Sequence, residues 1–136
     1  MVSQTLYILD HDWLVKVFYE AEPKDADRII DLLRSIGCKG EDLASAEKNL
    51  IYCKPNTGLT YSNIKDRCSV VAISRTTCAD EFANSYDHEK MHLAMNIADA
   101  DGIDVNSEEY AYLAGAIAQQ MFKVAKRFMC DCCRNK

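Results

Sequence analysis

The sequence predicts an α+β fold, with a small antiparallel or mixed sheet, a motif-bearing helix and a following long C-terminal helix. Three observations carry this. Runs rich in β-branched and aromatic residues occur at TLYILDHDWLVKVFYE (5–20) and CSVVAIS (68–74). Apolar residues recur at helical spacing after Pro23 and again from Ser107 to Met129. The order that results, β-β-α-α-β-β-α-α, keeps strands and helices in pairs, as α+β layouts do. With 136 residues, 49% hydrophobic and 27% charged, residues 1–136 read as one domain.

Each element has a local reason. Residues 5–20 contain two β-rich runs around Asp10-His11-Asp12, the pattern of a hairpin or of two adjacent strands. Trp13, Val15, Val17 and Tyr19 then share one face, and His11 is expected in solvent. Pro23 opens a helix whose apolar side is Ile29, Ile30, Leu32, Leu33 and Ile36, with Gly37 where a C-cap belongs. Residues 41–50 form a second, shorter helix. Pro55-Asn56-Thr57-Gly58 reads as a turn, and Leu59 and Tyr61 alternate with polar residues as on an exposed strand. CSVVAIS is continuous and apolar, the mark of a central strand carrying Cys68 as a small apolar residue. TTCADEFANSY is read as a loop before a helix from about Asp87 to Asp99. Asp101-Gly102 breaks that helix, and the last one follows. DADGIDVNSEE has the wrong glycine and carboxylate spacing for a calcium loop and reads as an inter-helix turn.

Composition excludes several functions. The net charge of −5 gives no general attraction to nucleic acid, and Lys123, Lys126 and Arg127 read as a solvated helix face. No apolar stretch reaches 18 residues, so no membrane span is expected. The N-terminus lacks a basic start, which argues against a signal peptide and for a cytoplasmic chain with reduced thiols. Cys130, Cys132 and Cys133 are expected in a frayed tail, 130–136, with soft-metal binding or redox sensing as alternatives.

SYDHEKMHLAM (85–95) contains the chemistry. His88 and His92, four apart on a helix, project from one face and can hold one ion. Glu89 lies roughly 100° round the helix and can act on a water as general base. A catalytic zinc asks for a third protein ligand. Asp99 lies about 10 Å further along the helix axis than His92, too far to join the same site. The extended motif fails, with Met95 and Ala98 at its glycine and histidine positions. On the last helix, Tyr110, Leu113, Ile117, Met121, Val124 and Phe128 form the apolar stripe. Glu109 falls at its border, roughly 80° from the centre, and Glu108 nearly opposite it. Glu109 is therefore the expected third ligand and Glu108 the fallback, while Asn106 with Glu109 also fits a capping box.

The strand, the HEKMH helix and SEEYAYLAG together resemble the compact gluzincin-type metallopeptidases. The resemblance is nearest to short zincin-like proteins of phages and mobile elements of gut Bacteroidetes, which are distantly similar to ImmA/IrrE-like peptidases. It is clearest over 57–122, the expected metal-site core. It implies a minimal zincin-like fold, Zn²⁺ held by His88, His92 and Glu109, Glu89 as catalytic base, and a peptide or protein substrate. Lys90 and Ala94 depart from the usual residues of such helices. The substrate would pair with an exposed strand edge, 57–62 or 68–74. Tyr61, Tyr86, Tyr110 and Tyr112 are the candidate oxyanion donors. The alternative is a zinc-binding interaction module that cleaves nothing.

Overall fold

In the computed structural model, residues 1–52 and 57–134 are described. Residues 53–56, which hold the first half of the expected turn at Pro55, lie outside them. The order is β1 (Val2–Ile8), β2 (Trp13–Ala21), α1 (Ala26–Ser35), α2 (Gly40–Tyr52), β3 (Gly58–Asn63), β4 (Cys68–Ser74), α3 (Ala79–Asp101), α4 (Glu108–Ala125) and α5 (Asp131–Arg134). The strands form one sheet in the order β1-β2-β4-β3. β1 pairs antiparallel with β2, β2 parallel with β4, and β4 antiparallel with β3. The fold is α+β with a mixed sheet, as its sequence indicates.

Period two along the strands sends side chains to two separate cores. Trp13, Val15, Val17 and Tyr19 of β2, with Val71 and Ile73 of β4, pack under α3 and α4. Phe18 and Ala21, with Val70 and Ala72, pack under α1 and α2. The sheet is thus covered by a helix pair on each face. Trp13, Val15, Val17 and Tyr19 are wholly buried. Each such side chain contributes about 1.5–3 kcal/mol over an exposed one. Burial of the Trp13 indole is compatible with its polar N–H because Nε1 donates to Ser69 Oγ at 2.8 Å.

The helix ends follow capping chemistry. Gly37, at φ +94, follows Ile36, the C-cap of α1. Gly37 N donates to Arg34 O and Cys38 N to Leu33 O, the double bond of a Schellman turn. Asn106 is not the N-cap of α4. Ser107 is, its Oγ accepting from Tyr110 N at 3.1 Å.

Three expectations need correction. TTCADEFANSY is not a loop throughout, since α3 starts at Ala79 and buries Phe82 and Tyr86. These continue, two and three turns back, the stripe of Leu93 and Ile97; the polar residues between them hide the period. His11 is not free in solvent: its Nδ1 lies 2.7 Å from Asp101 Oδ2, and its side chain is only 15% exposed. The tail up to Arg134 is docked rather than frayed. Asp131 Oδ1 accepts from Ala79 N at 2.7 Å, and Arg134 donates to Thr76 O at 2.6 Å and to Phe128 O at 3.2 Å. Arg134 also pairs with Glu20 at 3.3 Å. Among the described residues, no helix is long and apolar enough to cross a membrane.

Candidate metal centre

α3 crosses the sheet with one flank against α4 and the other above β3. Tyr86 Oη reaches Ala118 O of α4 at 3.4 Å, which fixes the first flank. On a 100° wheel His88 and His92 fall on the second flank, and Glu89 falls near the buried centre with Phe82 and Leu93. Glu89 is accordingly only 4% exposed, while both histidines are exposed.

The two imidazoles converge. Their Nε2 atoms are 3.1 Å apart, with ring planes at 74°. Two nitrogens bound to a tetrahedral zinc at about 2.0–2.1 Å stand about 3.3 Å apart, so the pair needs little movement to share an ion. One ligand atom from each of His88, Glu89 and His92 lies within 4.8 Å of the others. Two imidazoles and a carboxylate are borderline donors that suit zinc.

Glu89 is held from the sheet side. The Thr60 hydroxyl donates to its Oε1 at 3.2 Å. Gly58 lies against the same carboxylate: a Cβ there would come within 2.9 Å of Glu89 Cγ and Oε2, and 2.8 Å of Ala72 O. Only glycine fits this contact. Burial raises the Glu89 pKa above the ordinary carboxyl value, and the Thr60 bond and the two imidazoles partly oppose it. One turn beyond His92, Asn96 Nδ2 donates to Ser62 Oγ at 2.9 Å; Ser62 Oγ lies 2.7 Å from Ser69 Oγ, which takes the Trp13 N–H. This chain ties α3 to β3, β4 and β2 beside the histidines, so a roll of the helix would break the Asn96–Ser62 bond at its head.

The histidines open onto a groove of about 500 Å³, lined by Cys38, Asp42 and Asn49 on one side and Gly58 to Ser62 on the other. β3 is an edge strand. Ser74 N donates to Thr57 O, so the paired residues of β3 are the odd ones. The backbone of Gly58, Thr60 and Ser62 therefore turns to the groove. Behind the site lies a smaller cavity of about 130 Å³, bounded by Thr57, Gly58, Asn84, Ser85, His88 and Glu89. Ser85 Oγ is buried there without a hydrogen-bond partner.

The structure brings His88, Glu89 and His92 together and leaves Glu109 out. Glu109 and Glu108 are exposed in the first turn of α4, which packs on the other flank of α3. The expectation that Glu109 is the third ligand assumed that α4 faces the histidines. In fact β3 and α2 face them, and α4 meets the Tyr86 side. Among the four tyrosines only Tyr61 lines the groove. Tyr86 is bonded to α4, Tyr110 packs against the core and Tyr112 is 72% exposed. Lys90 is turned away, 3.1 Å from Asp87 and over the Tyr86 ring. Gly58, Thr60, Ser62 and Asn96 support the site without a motif of their own; the signal was the alternation of Gly58, Thr60 and Ser62 on one strand face.

Comparison with known proteins returns no match to a protein-family model, a curated protein or a solved structure.

Proposed function

We propose that the protein binds zinc through His88 and His92 and hydrolyses peptide bonds, with Glu89 as general base. The observation that carries this reading is the converging imidazole pair beside a buried carboxylate, at the mouth of a groove along a free strand edge. Zinc, when bound, supplies Lewis-acid activation of a water and of the scissile carbonyl. The chain supplies the rest. Glu89, braced by Thr60 and Gly58, takes a proton from the attacking water and returns it to the leaving amine. The outward backbone of Gly58, Thr60 and Ser62 pairs with an extended substrate. Tyr61 is the groove's candidate donor to the oxyanion.

A second reading has a specific observation in its favour. No acidic side chain of α4 joins the three-residue group, and Glu89 itself lies within ligand reach of both histidines. If Glu89 completes the coordination, no base remains, and the protein is a zinc-binding interaction module. Glu89→Gln separates the two. Under the first reading the variant keeps zinc and its cleavage of an unfolded polypeptide falls by about 10²–10⁴-fold. Under the second the wild type cleaves nothing and the variant binds zinc more weakly.

A further inference from the structure

Away from the groove, three cysteines meet on one helical turn. Cys130, Cys132 and Cys133 are all exposed and free. Arg134 N donates to Cys130 O at 3.0 Å, which closes the turn of α5. Residues three apart on such a turn have Cα atoms about 5 Å apart, inside the range of about 4.4–6.8 Å that a disulfide needs. Cys130 and Cys133 meet this condition. Cys132, one and two residues from its neighbours, faces elsewhere on the turn. The turn is fixed at both ends, by Asp131 on the first amide of α3 and by Arg134 on Thr76, Phe128 and Glu20. The two thiols are thus held on a platform, which lowers the chain entropy lost in joining them.

We propose that Cys130 and Cys133 form a thiol–disulfide exchange site that takes the accessible disulfide of a small thiol as its substrate. Cys130 is the attacking group and Cys133 the resolving one. The amide and then the thiol of Cys133, with the amide of Cys132, donate to the Cys130 sulfur and hold its thiol below the ordinary value; the hydrogen bond to Cys130 and its charge push Cys133 up. The Cys130 thiolate attacks one sulfur of the substrate, whose S–S bond breaks. The first small thiolate leaves and takes a proton from water. Cys133 then gives up its proton and attacks the Cys130 sulfur of the mixed disulfide, and the second thiolate leaves and is protonated. Two electrons pass from the protein dithiol to the substrate, which ends as two thiols.

The test is to expose the reduced full-length protein to glutathione disulfide at neutral pH and quench with acid. Intact mass and the tryptic peptide 128–134 are then read. Wild type and Cys132→Ser are expected to lose two hydrogens through a Cys130–Cys133 bond. Cys133→Ser is expected to stop with one glutathione on Cys130, and Cys130→Ser to react about tenfold more slowly at this peptide. The proposal is overturned if wild type collects glutathione with no internal bond. It is equally overturned if a disulfide within the peptide, or from it to Cys78, persists in Cys130→Ser or Cys133→Ser. All three positions are exposed, so these variants keep the fold.

Discussion

Gly58 and Glu89 are in contact, and the contact leaves no room for a methyl group: a Cβ on Gly58 would sit 2.9 Å from the Glu89 carboxylate and 2.8 Å from Ala72 O. Neither neighbour yields easily, since one is backbone of the central strand and the other is buried. Gly58→Ala should therefore cost about 1–3 kcal/mol and displace the carboxylate. Urea unfolding checks the first effect and the rate of peptide cleavage the second. An unchanged midpoint would mean that the strand moves aside freely.

Ser85 makes the opposite prediction. Its hydroxyl is buried without a partner, so it contributes a desolvation cost and no bond. Ser85→Ala should leave stability unchanged or raise it by up to about 1 kcal/mol. A loss larger than that would show that the hydroxyl has a partner in solution, such as an ordered water in the adjoining cavity.

Much of this was legible in the chain, for physical reasons that differ by element. β2 was readable from the period two of Trp13, Val15, Val17 and Tyr19, and β4 because a short, continuous β-branched run is what a strand buried on both faces needs. The first two turns of α3 were not. Asp80, Glu81, Asn84 and Asp87 surround Phe82 and Tyr86, and the stripe shows only once Leu93 and Ile97 are placed beneath them. The histidine pair and Glu89 were legible because i, i+4 geometry is local. The third ligand was not, because the wheel of α4 gives the direction of Glu109 within its own helix and says nothing of which flank of α3 that helix meets. Thr60 and Ser62 reach α3 from β3, through Glu89 and Asn96, at separations no local pattern reports.

Asp101, at the end of α3, bonds to His11 between β1 and β2 and to Arg67 before β4, and its charge should appear in the pH dependence of stability. Burial raises its pKa, but hydrogen bonds from His11 and Arg67 outweigh this and hold it below the ordinary carboxyl value. A carboxyl depressed in the folded state stabilises above its unfolded pKa, near about 3.9, and this is lost as pH falls through the folded value. Asp101→Asn should thus cost about 1 kcal/mol at neutral pH, and the gap to wild type should close below the folded value. Urea midpoints for both proteins across acid pH check this. A gap independent of pH would contradict it.

The docked tail predicts that Arg134 matters to the fold. Its side chain bridges Thr76, Phe128 and Glu20. Arg134→Ala should destabilise by about 1–2 kcal/mol and speed hydrogen exchange at the Ala79 amide, which Asp131 otherwise holds. No change in either would mean that residues 130–134 are free of the body in solution.

The most direct measurement is the zinc content of purified protein, titrated by calorimetry, for wild type, His92→Ala and Glu109→Ala. The expected result is one zinc per chain that competes with a chelator, lost in His92→Ala and retained in Glu109→Ala. Zinc that survives His92→Ala, or a wild type that binds none, would contradict the metal site.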